Sequence, residues 1–359
     1  CRIEKLVETA AERGAPAVAV TDHGVMYGAV DFYKAAKKRG IKPIIGCEVY
    51  VAQRTRFDRV HGLDSEHRHL VLLCENNIGY QNLIALVSRS WTEGFYSKPR
   101  VDLDLLRQYH EGLIALSACL AGEIPRDLTA GDYDAAKAAA LRYEEIFGHG
   151  NFYLELQDHG LREQKLINPS IRQISRETGI PLILTNDCHY IRPQDSEMHR
   201  ILLCIQTNHT VEDKDGMEFG SDQFYFKTEE EMRSLFPDCP EAADNTVKIA
   251  ERCNVEFEFG KTKLPRFETP DGQDNVAYFR KKCREGLHRH YGEHPEKSVS
   301  DRLEYELETI EKMGYVNYYL IVHDFVRHAK ETGIPVGPGR GSGAGSLAAY
   351  CIGITGIDP

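Results

Sequence analysis

Short apolar segments alternate with amphipathic helical patterns over the first 260 residues of the chain. A first helical face is formed by Ile3, Leu6, Val7 and Ala10, which recur at the spacing of an α-helix. Six predicted strands follow it: 17–21, 43–46 running into 49–51, 69–73, 113–116, 152–156 and 181–185. Between them, helical periodicity predicts helices around 78–91, 132–147 and 163–179. This alternation predicts a largely parallel α/β domain, either a barrel or a doubly wound sheet, and the number of strands favours a barrel.

The pattern changes near residue 260. Residues 261–275 are polar, rich in proline and without periodicity, which predicts a linker between a first domain, 1–260, and a second domain, 276–359. Beyond the linker, the predicted helices are 276–291, 301–313 and 315–332. A chain of 359 residues is long enough to bury a core in each domain.

Composition places the chain among ordinary globular proteins. It is 42% hydrophobic and 28% charged, and no apolar run approaches the roughly 18 residues that span a bilayer. The ten cysteines are isolated, with no C-x-x-C pair, which argues against a disulfide scaffold and for a reducing cytosol. The net charge of −11 argues against a broad basic surface, although a local channel can still be positive. Because the sequence starts at Cys1 and stops at Pro359 within a pattern, we expect a piece of a longer protein.

A glycine-rich segment lies near the end of the chain, Gly337-Pro-Gly-Arg-Gly-Ser-Gly-Ala-Gly-Ser346. Its glycines leave backbone N–H groups unshielded, and Arg340 adds a planar, permanently charged donor suited to phosphate oxygens. If Gly345 or Ser346 opens a helix, the helix dipole adds positive potential there. We predict a triphosphate cradle, and a flexible glycine hinge is the alternative.

Side chains that can bind metal ions follow or lie within four separate predicted strands. They are His23, Glu48, Cys119, Asp187 and His189. Because the carboxyl ends of parallel strands share one face, these side chains are expected to meet at one mouth. Imidazole, carboxylate and thiolate together suit zinc or a mixed manganese, iron and zinc cluster rather than magnesium alone.

One histidine departs from this rule, and each candidate also has an ordinary interpretation. His69 begins its strand, so it joins the cluster only if that strand runs the other way or the barrel is distorted. A single histidine after a strand is commonly a turn residue, Cys119 alone fits a small buried hydrophobe, and Asp187 fits a turn or cap. Three further histidines are predicted to be structural: His159, His199 and His209.

Several segments resemble, in order, the polymerase-and-histidinol-phosphatase (PHP) domain. They are Thr21-Asp-His-Gly24, Gly46-Cys-Glu-Val-Tyr-Val51, His69-Leu, Glu93-Gly-Phe-Tyr96, Ser117-Ala-Cys119, Leu154-Glu-Leu-Gln-Asp-His-Gly160 and Asn186-Asp-Cys-His-Tyr190. The resemblance implies a distorted seven-stranded (β/α) barrel that holds up to three metals, Zn²⁺ or Mn²⁺/Fe²⁺. The implied metal ligands are His23, Glu48, His69, Cys119, Asp187 and His189. It further implies that the first strand, with an H-x-H motif and an aspartate, precedes Cys1.

The last part of the chain resembles the start of the palm of the bacterial DNA polymerase III alpha-subunit family. The resemblance is carried by Pro338-Gly-Arg-Gly-Ser-Gly-Ala-Gly-Ser-Leu347 and Gly356-Ile-Asp-Pro359. It implies that 276–359 begins a polymerase-beta-like α+β palm, in which Arg340, Gly341 and Ser342 contact the triphosphate of the incoming nucleotide. The aspartates that hold Mg²⁺ are then expected beyond Pro359, so no catalytic residue lies in view and the fragment alone is expected to be inactive.

The resemblance implies a DNA-directed DNA polymerase that transfers nucleotidyl groups from dNTPs to a DNA 3′ end, acting on a primer–template in the cytoplasm and not at a membrane. A proofreading exonuclease subunit is expected at the PHP domain, and a sliding clamp and clamp loader are expected at regions outside this chain. Two alternatives stay open. The barrel is a metal-dependent phosphoesterase or 3′–5′ exonuclease, or it serves only as a docking platform for the proofreading subunit.

Overall fold

The computed structural model describes residues 1–213, 219–261 and 263–359. These residues form two compact units, 1–257 and 258–359, each of which is described separately. Thr262, in the predicted linker, lies outside the described residues. Other residues of that linker belong to the second unit, since the backbone N–H of Phe267 donates to Asn317 Oδ1 at 3.0 Å.

The first unit alternates strands with helices. Its strands are β1 (Ala17–Val20), β2 (Lys42–Ala52), β3 (His67–Cys74), β4 (Arg100–Val101), β5 (Leu113–Leu116), β6 (Phe152–Leu156) and β7 (Leu182–Leu184). Its helices are α1 (Ile3–Glu12), α2 (Ala29–Lys38), α3 (Asn77–Thr92), α4 (Leu103–Gln108), α5 (Glu123–Thr129), α6 (Tyr133–Phe147), α7 (Arg162–Thr178), α8 (Ser196–Thr207), α9 (Glu229–Leu235) and α10 (Pro240–Arg252). The two segments predicted at 43–46 and 49–51 form one continuous strand, and the two-residue β4 is too short to give a sequence pattern.

The strands form one sheet in the order β1-β2-β3-β5-β6-β7, with β4 beside β2. Neighbouring strands are parallel except at β3, which runs antiparallel to both β2 and β5. The predicted α/β class is confirmed. The sequence indicated that His69 could join the cluster only if its strand ran the other way or the barrel was distorted. The antiparallel direction of β3 meets this condition.

Both faces of the sheet are covered by apolar side chains. On one face Leu72 and Phe152 are buried together with residues of the flanking helices, such as Phe32 and Leu86. On the other face, Ile114 and its neighbours form a smaller core that includes Ile249 of α10. Burial on both faces explains why the strands appear in the sequence as continuous apolar runs rather than as an alternating pattern.

The second unit is built from helices. They are α11 (Asn275–Tyr291), α12 (Lys297–Lys312), α13 (Val316–Glu331), a 3₁₀ helix at Gly341–Gly345 and α14 (Leu347–Cys351). Phe279, Leu307, Leu320 and Ala348 fill its core with no exposed surface. The three predicted helices are present, although the second begins four residues before the predicted 301. Residues 258–261 and 263–359 contain no strand, so any strand of the predicted α+β palm lies outside them.

No helix among the described residues is both long and apolar enough to cross a bilayer.

Candidate functional site

The reversed direction of β3 brings His69 to the same edge of the sheet as His23 and Glu48. His23 follows β1 and pairs with Glu48 through an isolated β-bridge, and Glu48 lies within β2. Because β3 runs antiparallel to β2, Tyr50 near the end of β2 lies opposite His69 near the start of β3. The nearest ligand-type atoms of His23, Glu48 and His69 all lie within 4.8 Å of one another.

The remaining three predicted ligands continue the same cluster. Cys119 Sγ lies 3.8 Å from His69 Nδ1. The rings of His23 and His189 have their centroids 6.0 Å apart, and His189 Nε2 lies 3.4 Å from Asp187 Oδ1. The structure thus brings together all six side chains, and we call them the six-residue cluster. Metal binding by this cluster stays a prediction.

Glu48 gives the best indication of what the cluster can hold. Its side chain is buried, and its Oε1 approaches His69 Nδ1 at 2.6 Å. That contact lacks hydrogen-bond geometry, so Oε1 is a buried oxygen without a hydrogen-bond partner among the described residues. Burial raises the pKa of Glu48 to about 7, against the opposing effect of His23. Glu48 Oε1 and His69 Nδ1 thus lie close together with no hydrogen bond between them. Two electron-pair donors in this arrangement suit a site that binds a cation.

Burial and neighbouring charges also shape the other members. Burial lowers the pKa of His69 to about 4, which leaves the imidazole neutral, as a metal ligand must be. Burial acts to raise the pKa of Asp187, but the hydrogen bond with His189 and the nearby imidazoles outweigh it and lower the pKa. Burial is the main cause that raises the pKa of the Cys119 thiol well above its usual range, and the nearby charges of Asp187 and Glu48 add to it. A bound cation would oppose this shift, because it favours the thiolate.

A buried carboxyl group, Glu155, holds two of the ligand-bearing turns. Ala118 and Asp187 both have left-handed backbone conformations, with φ of +63° and +42°. Glu155 Oε1 accepts a hydrogen bond from the Ala118 N–H at 2.7 Å, and its Oε2 accepts one from the Thr185 hydroxyl. Glu155 therefore connects the turn before Cys119 with the turn that carries Asp187. The sequence signal for this role is a single acidic residue within the apolar strand 152–156, and the sequence reasoning did not use it.

Replacing Glu155 with alanine is expected to lower the free energy of unfolding by about 2–3 kcal/mol at pH 6, because the buried Ala118 N–H loses its acceptor. Burial raises the pKa of Glu155 to about 7, so at pH 6 the carboxyl group is protonated in most molecules. Glu155→Gln keeps the shape and one acceptor oxygen and is expected to cost less than half as much. Urea denaturation of both variants measures the difference, and equal losses would show that the Ala118 contact does not matter.

Two further histidines lie beside the cluster. The ring of His67 stacks on His69 with centroids 5.8 Å apart, and its pKa is lowered by burial to about 4. His199, predicted to be structural, has its ring 5.2 Å from that of His189. The sequence could have indicated that His67 lies near the cluster, because it is two residues before His69 and both side chains therefore lie on one face of β3.

The residues predicted to contact a nucleotide lie in an exposed loop of the second unit. Arg340 precedes the 3₁₀ helix, and Gly341 within that helix has a φ of +55°, which favours glycine. Within 258–261 and 263–359, no hydrogen bond or ion pair involves the Arg340 guanidinium, and Ser342 is also exposed. This geometry is compatible with a cradle and with a hinge.

The helix dipole considered for this loop is already neutralised. α14 begins at Leu347 after Ser346, whose hydroxyl oxygen accepts from the Ala349 N–H at 3.1 Å. The buried Glu306 carboxylate accepts from the Ala348 N–H and from the Ser346 hydroxyl, each at 3.0 Å. A carboxylate therefore occupies the place where the dipole would attract a phosphate. A phosphate at this place would therefore be contacted by the glycine loop and Arg340 and not by the start of α14.

Glu306 is expected to stabilise this end of the loop. Glu306→Ala removes the acceptor for two donors and should lower the free energy of unfolding by about 2 kcal/mol. The loss should destabilise α14 and with it the second unit, because α14 contributes Leu347, Ala348 and Cys351 to the core of that unit. Hydrogen exchange at residues 346–351 measures it, and Glu308→Ala on the exposed side of α12 is the matched control. Unchanged exchange in Glu306→Ala would contradict the expectation.

Comparison with known proteins gives the family of the chain. Residues 1–159 match the PHP domain model, and residues 277–359 match the model of the bacterial DNA polymerase III alpha NTPase domain. DNA polymerase III subunit alpha of Treponema pallidum is 46% identical over 359 residues, which are 99% of this chain and 31% of that protein. The chain belongs to the DNA polymerase III alpha-subunit family. The Thermus aquaticus subunit is 41% identical over 405 residues, covering 96% of this chain and 33% of the relative.

The chain therefore spans about a third of the length of the DNA polymerase III alpha subunits that it matches. The PHP match contains His23, Glu48, His69 and Cys119, and the second family match contains the glycine loop. Among solved structures, an amidohydrolase from Chromobacterium violaceum is 15% identical with a TM-score of 0.34, covering 52% of this chain and 82% of its own.

Proposed function

We propose that this chain is part of a DNA-directed DNA polymerase that extends a DNA 3′ end with nucleotides from dNTPs. The observation that carries the proposal is the alignment of the whole chain with DNA polymerase III alpha subunits at 40–46% identity. We assign 1–260 to the PHP domain, 261–275 to a linker and 276–359 to the start of the palm.

Within the palm, the glycine loop is proposed to hold the triphosphate of the incoming nucleotide. Arg340 has a guanidinium without a protein partner among the described residues, and such a group can make two parallel hydrogen bonds to phosphate oxygens. Gly341 lets the backbone approach the ligand closely, and the Ser342 hydroxyl adds a donor. Magnesium ions, when bound, stabilise the charge that develops on the transferred phosphoryl group. Their ligands are proposed to lie in the two thirds of the relatives that this chain does not span.

Primer extension tests this function. The full-length parent protein, supplied with a primed template, Mg²⁺ and dNTPs, is expected to lengthen the primer one nucleotide at a time. A full-length protein that folds but leaves the primer unextended would overturn the proposal.

For the first unit, we propose that the six-residue cluster binds divalent metal ions, Zn²⁺ or Mn²⁺/Fe²⁺. The donor set supports this choice, because imidazole and thiolate favour these ions over Mg²⁺. The buried Oε1 of Glu48, which has no hydrogen-bond partner among the described residues, supports it independently. Elemental analysis of the purified full-length protein measures the metals that it carries.

A second function of the first unit is metal-dependent phosphoesterase or 3′–5′ exonuclease activity. It is favoured by the geometry of the cluster, in which His23, Glu48 and His69 place ligand atoms within 4.8 Å of one another and Cys119, Asp187 and His189 lie beside them. Bound ions of this kind activate a water molecule and stabilise a phosphoryl transition state. Release of nitrophenol from a chromogenic phosphodiester by the metal-loaded protein tests this function.

The remaining proposed partners follow from the family. We propose that the PHP domain also carries the proofreading exonuclease subunit, and that a sliding clamp and clamp loader bind other regions of a cytoplasmic protein. Co-purification of the exonuclease subunit with full-length protein, compared with a variant that lacks 1–260, tests the first of these contacts.

A further inference from the structure

Two large aromatic side chains are exposed side by side at the end of α3. Trp91 and Phe95 stack with their ring centroids 5.4 Å apart and their planes inclined by 21°. Their exposed fractions are 43% and 45%. We call this pair, together with Lys98, the aromatic platform. The two rings present aromatic surface to solvent, and Lys98 follows Phe95 by three residues.

The aromatic platform is attached directly to the six-residue cluster through Gly24. The indole Nε1–H of Trp91 donates a hydrogen bond of 2.9 Å to the carbonyl oxygen of Gly24, the residue after His23. Gly24 has a φ of +65°, and a Cβ there would lie 2.8 Å from Pro99 Cγ and 3.1 Å from Tyr50 Cε2. Trp91, the Lys98–Pro99 segment and Tyr50 thus close around one glycine backbone. His23 is held next to the platform.

The charges near the aromatic platform favour an anionic ligand. Lys98 Nζ lies 5.5 Å from the centroid of the Tyr50 ring, whose own centroid is 5.2 Å from that of His69. Over the described part of the chain, the Lys98 ammonium forms no hydrogen bond or ion pair. Glu93, the acidic residue closest in sequence to the pair, already accepts from Arg56 at 2.7 Å. Asp22 adds one exposed negative charge beside His23.

We propose that the aromatic platform binds single-stranded nucleic acid and directs a phosphodiester toward the six-residue cluster. Bases of any sequence stack on exposed aromatic rings, while cations hold the backbone phosphates. The stacked rings, and a lysine that has no ion pair among the described residues, supply both of these contacts, and the metal-type cluster lies next to them. The delivery of a phosphodiester to the cluster rests on the proposed phosphoesterase or exonuclease function. Strand binding itself goes beyond polymerase activity and can be tested without primer extension or bound metal.

The fluorescence of Trp91 provides a direct test, because it is the only tryptophan in the 359-residue chain. Titration of this chain with single-stranded oligo(dT) of about 12 nucleotides, in the presence of a chelator, is expected to quench the fluorescence. Phe95→Ala is expected to weaken binding by about 5- to 150-fold, the range given by the loss of one base–aromatic stack. Lys98→Gln is expected to weaken it several-fold and to reduce its salt dependence. Arg327→Ala on α13, in the other unit, serves as the matched control and should bind as wild type, because that arginine forms exposed ion pairs and has no proposed ligand role.

Three outcomes would overturn this inference. One is unchanged fluorescence while the anisotropy of a labelled oligonucleotide reports binding, which would place the strand elsewhere. A second is equal weakening by Phe95→Ala and Arg327→Ala. A third is that neither the tryptophan fluorescence nor the oligonucleotide anisotropy changes. In that case the exposed aromatic pair would be explained by contact with a protein instead. Thermal melting shows whether each variant is folded. Failure of the proposed polymerase would appear separately, as missing primer extension by a full-length protein whose platform still binds the strand.

Discussion

Replacing Arg340 with alanine in the full-length protein is expected to lower kcat/KM for dNTP incorporation by about 100-fold or more. The Arg340 guanidinium has no partner among the described residues, so nothing in the second unit competes with a phosphate for it. In the proposed cradle, its loss removes a permanent charge and two directed donors from the place where the transferred phosphate would develop charge. Arg340→Lys keeps the charge without the planar geometry, so its kcat/KM should lie between those of Arg340→Ala and wild type. Single-nucleotide incorporation under pre-steady-state conditions measures all three.

Ser342→Ala should have a smaller effect of about 10-fold, since one neutral donor is lost. The matched control is Arg327→Ala on α13, where the arginine forms ion pairs with Asp324 and Glu331 at 2.8 Å. It is expected to stay within about twofold of wild type, because exposed ion pairs contribute little. Wild-type incorporation by both Arg340→Ala and Ser342→Ala would reject the cradle and leave the glycine hinge.

Local patterns predicted most of the first unit because its strands are apolar on both faces and its helices are amphipathic. They could not give the direction in which a strand runs within the sheet. That direction decided the place of His69, which is at the start of β3 and yet beside Glu48. The five other members of the cluster follow or lie within parallel strands, so the rule about carboxyl ends found them.

The supporting contacts were not predictable because they join distant parts of the chain. Glu155 and Ala118 are 37 residues apart, and Trp91 and Gly24 are 67 residues apart. Glu306 reaches Ala348 across 42 residues and thereby corrects the expectation of a free helix dipole. Each contact depends on how the helices and turns pack, and hydrophobic periodicity carries no information on which polar side chains then meet.

Glu48→Gln is expected to change metal affinity and metal-free stability in opposite directions. The Glu48 side chain is 5% exposed, and one of its oxygens has no hydrogen-bond partner in the described part of the chain, so its charge is costly to bury when no cation is bound. The neutral amide should therefore raise the free energy of unfolding of the chelator-treated full-length protein by roughly 1–3 kcal/mol at pH 8. The same change removes a charged ligand, and metal affinity should fall by at least about 100-fold, more than the loss of a supporting contact.

Thermal melting with and without metal separates these two effects, and Co²⁺ absorption adds a signature of the ligands. Metal should raise the melting temperature of wild type and of the exposed control Glu163→Gln, but not that of Glu48→Gln. Cys119→Ser should abolish the sulfur-to-cobalt charge-transfer band, since Cys119 is the cluster's thiol, 3.8 Å from His69. A Glu48→Gln protein that is less stable than wild type without metal would mean that the carboxylate serves the fold. In that case the six-residue cluster would be a hydrogen-bonded network in which a cation has no place.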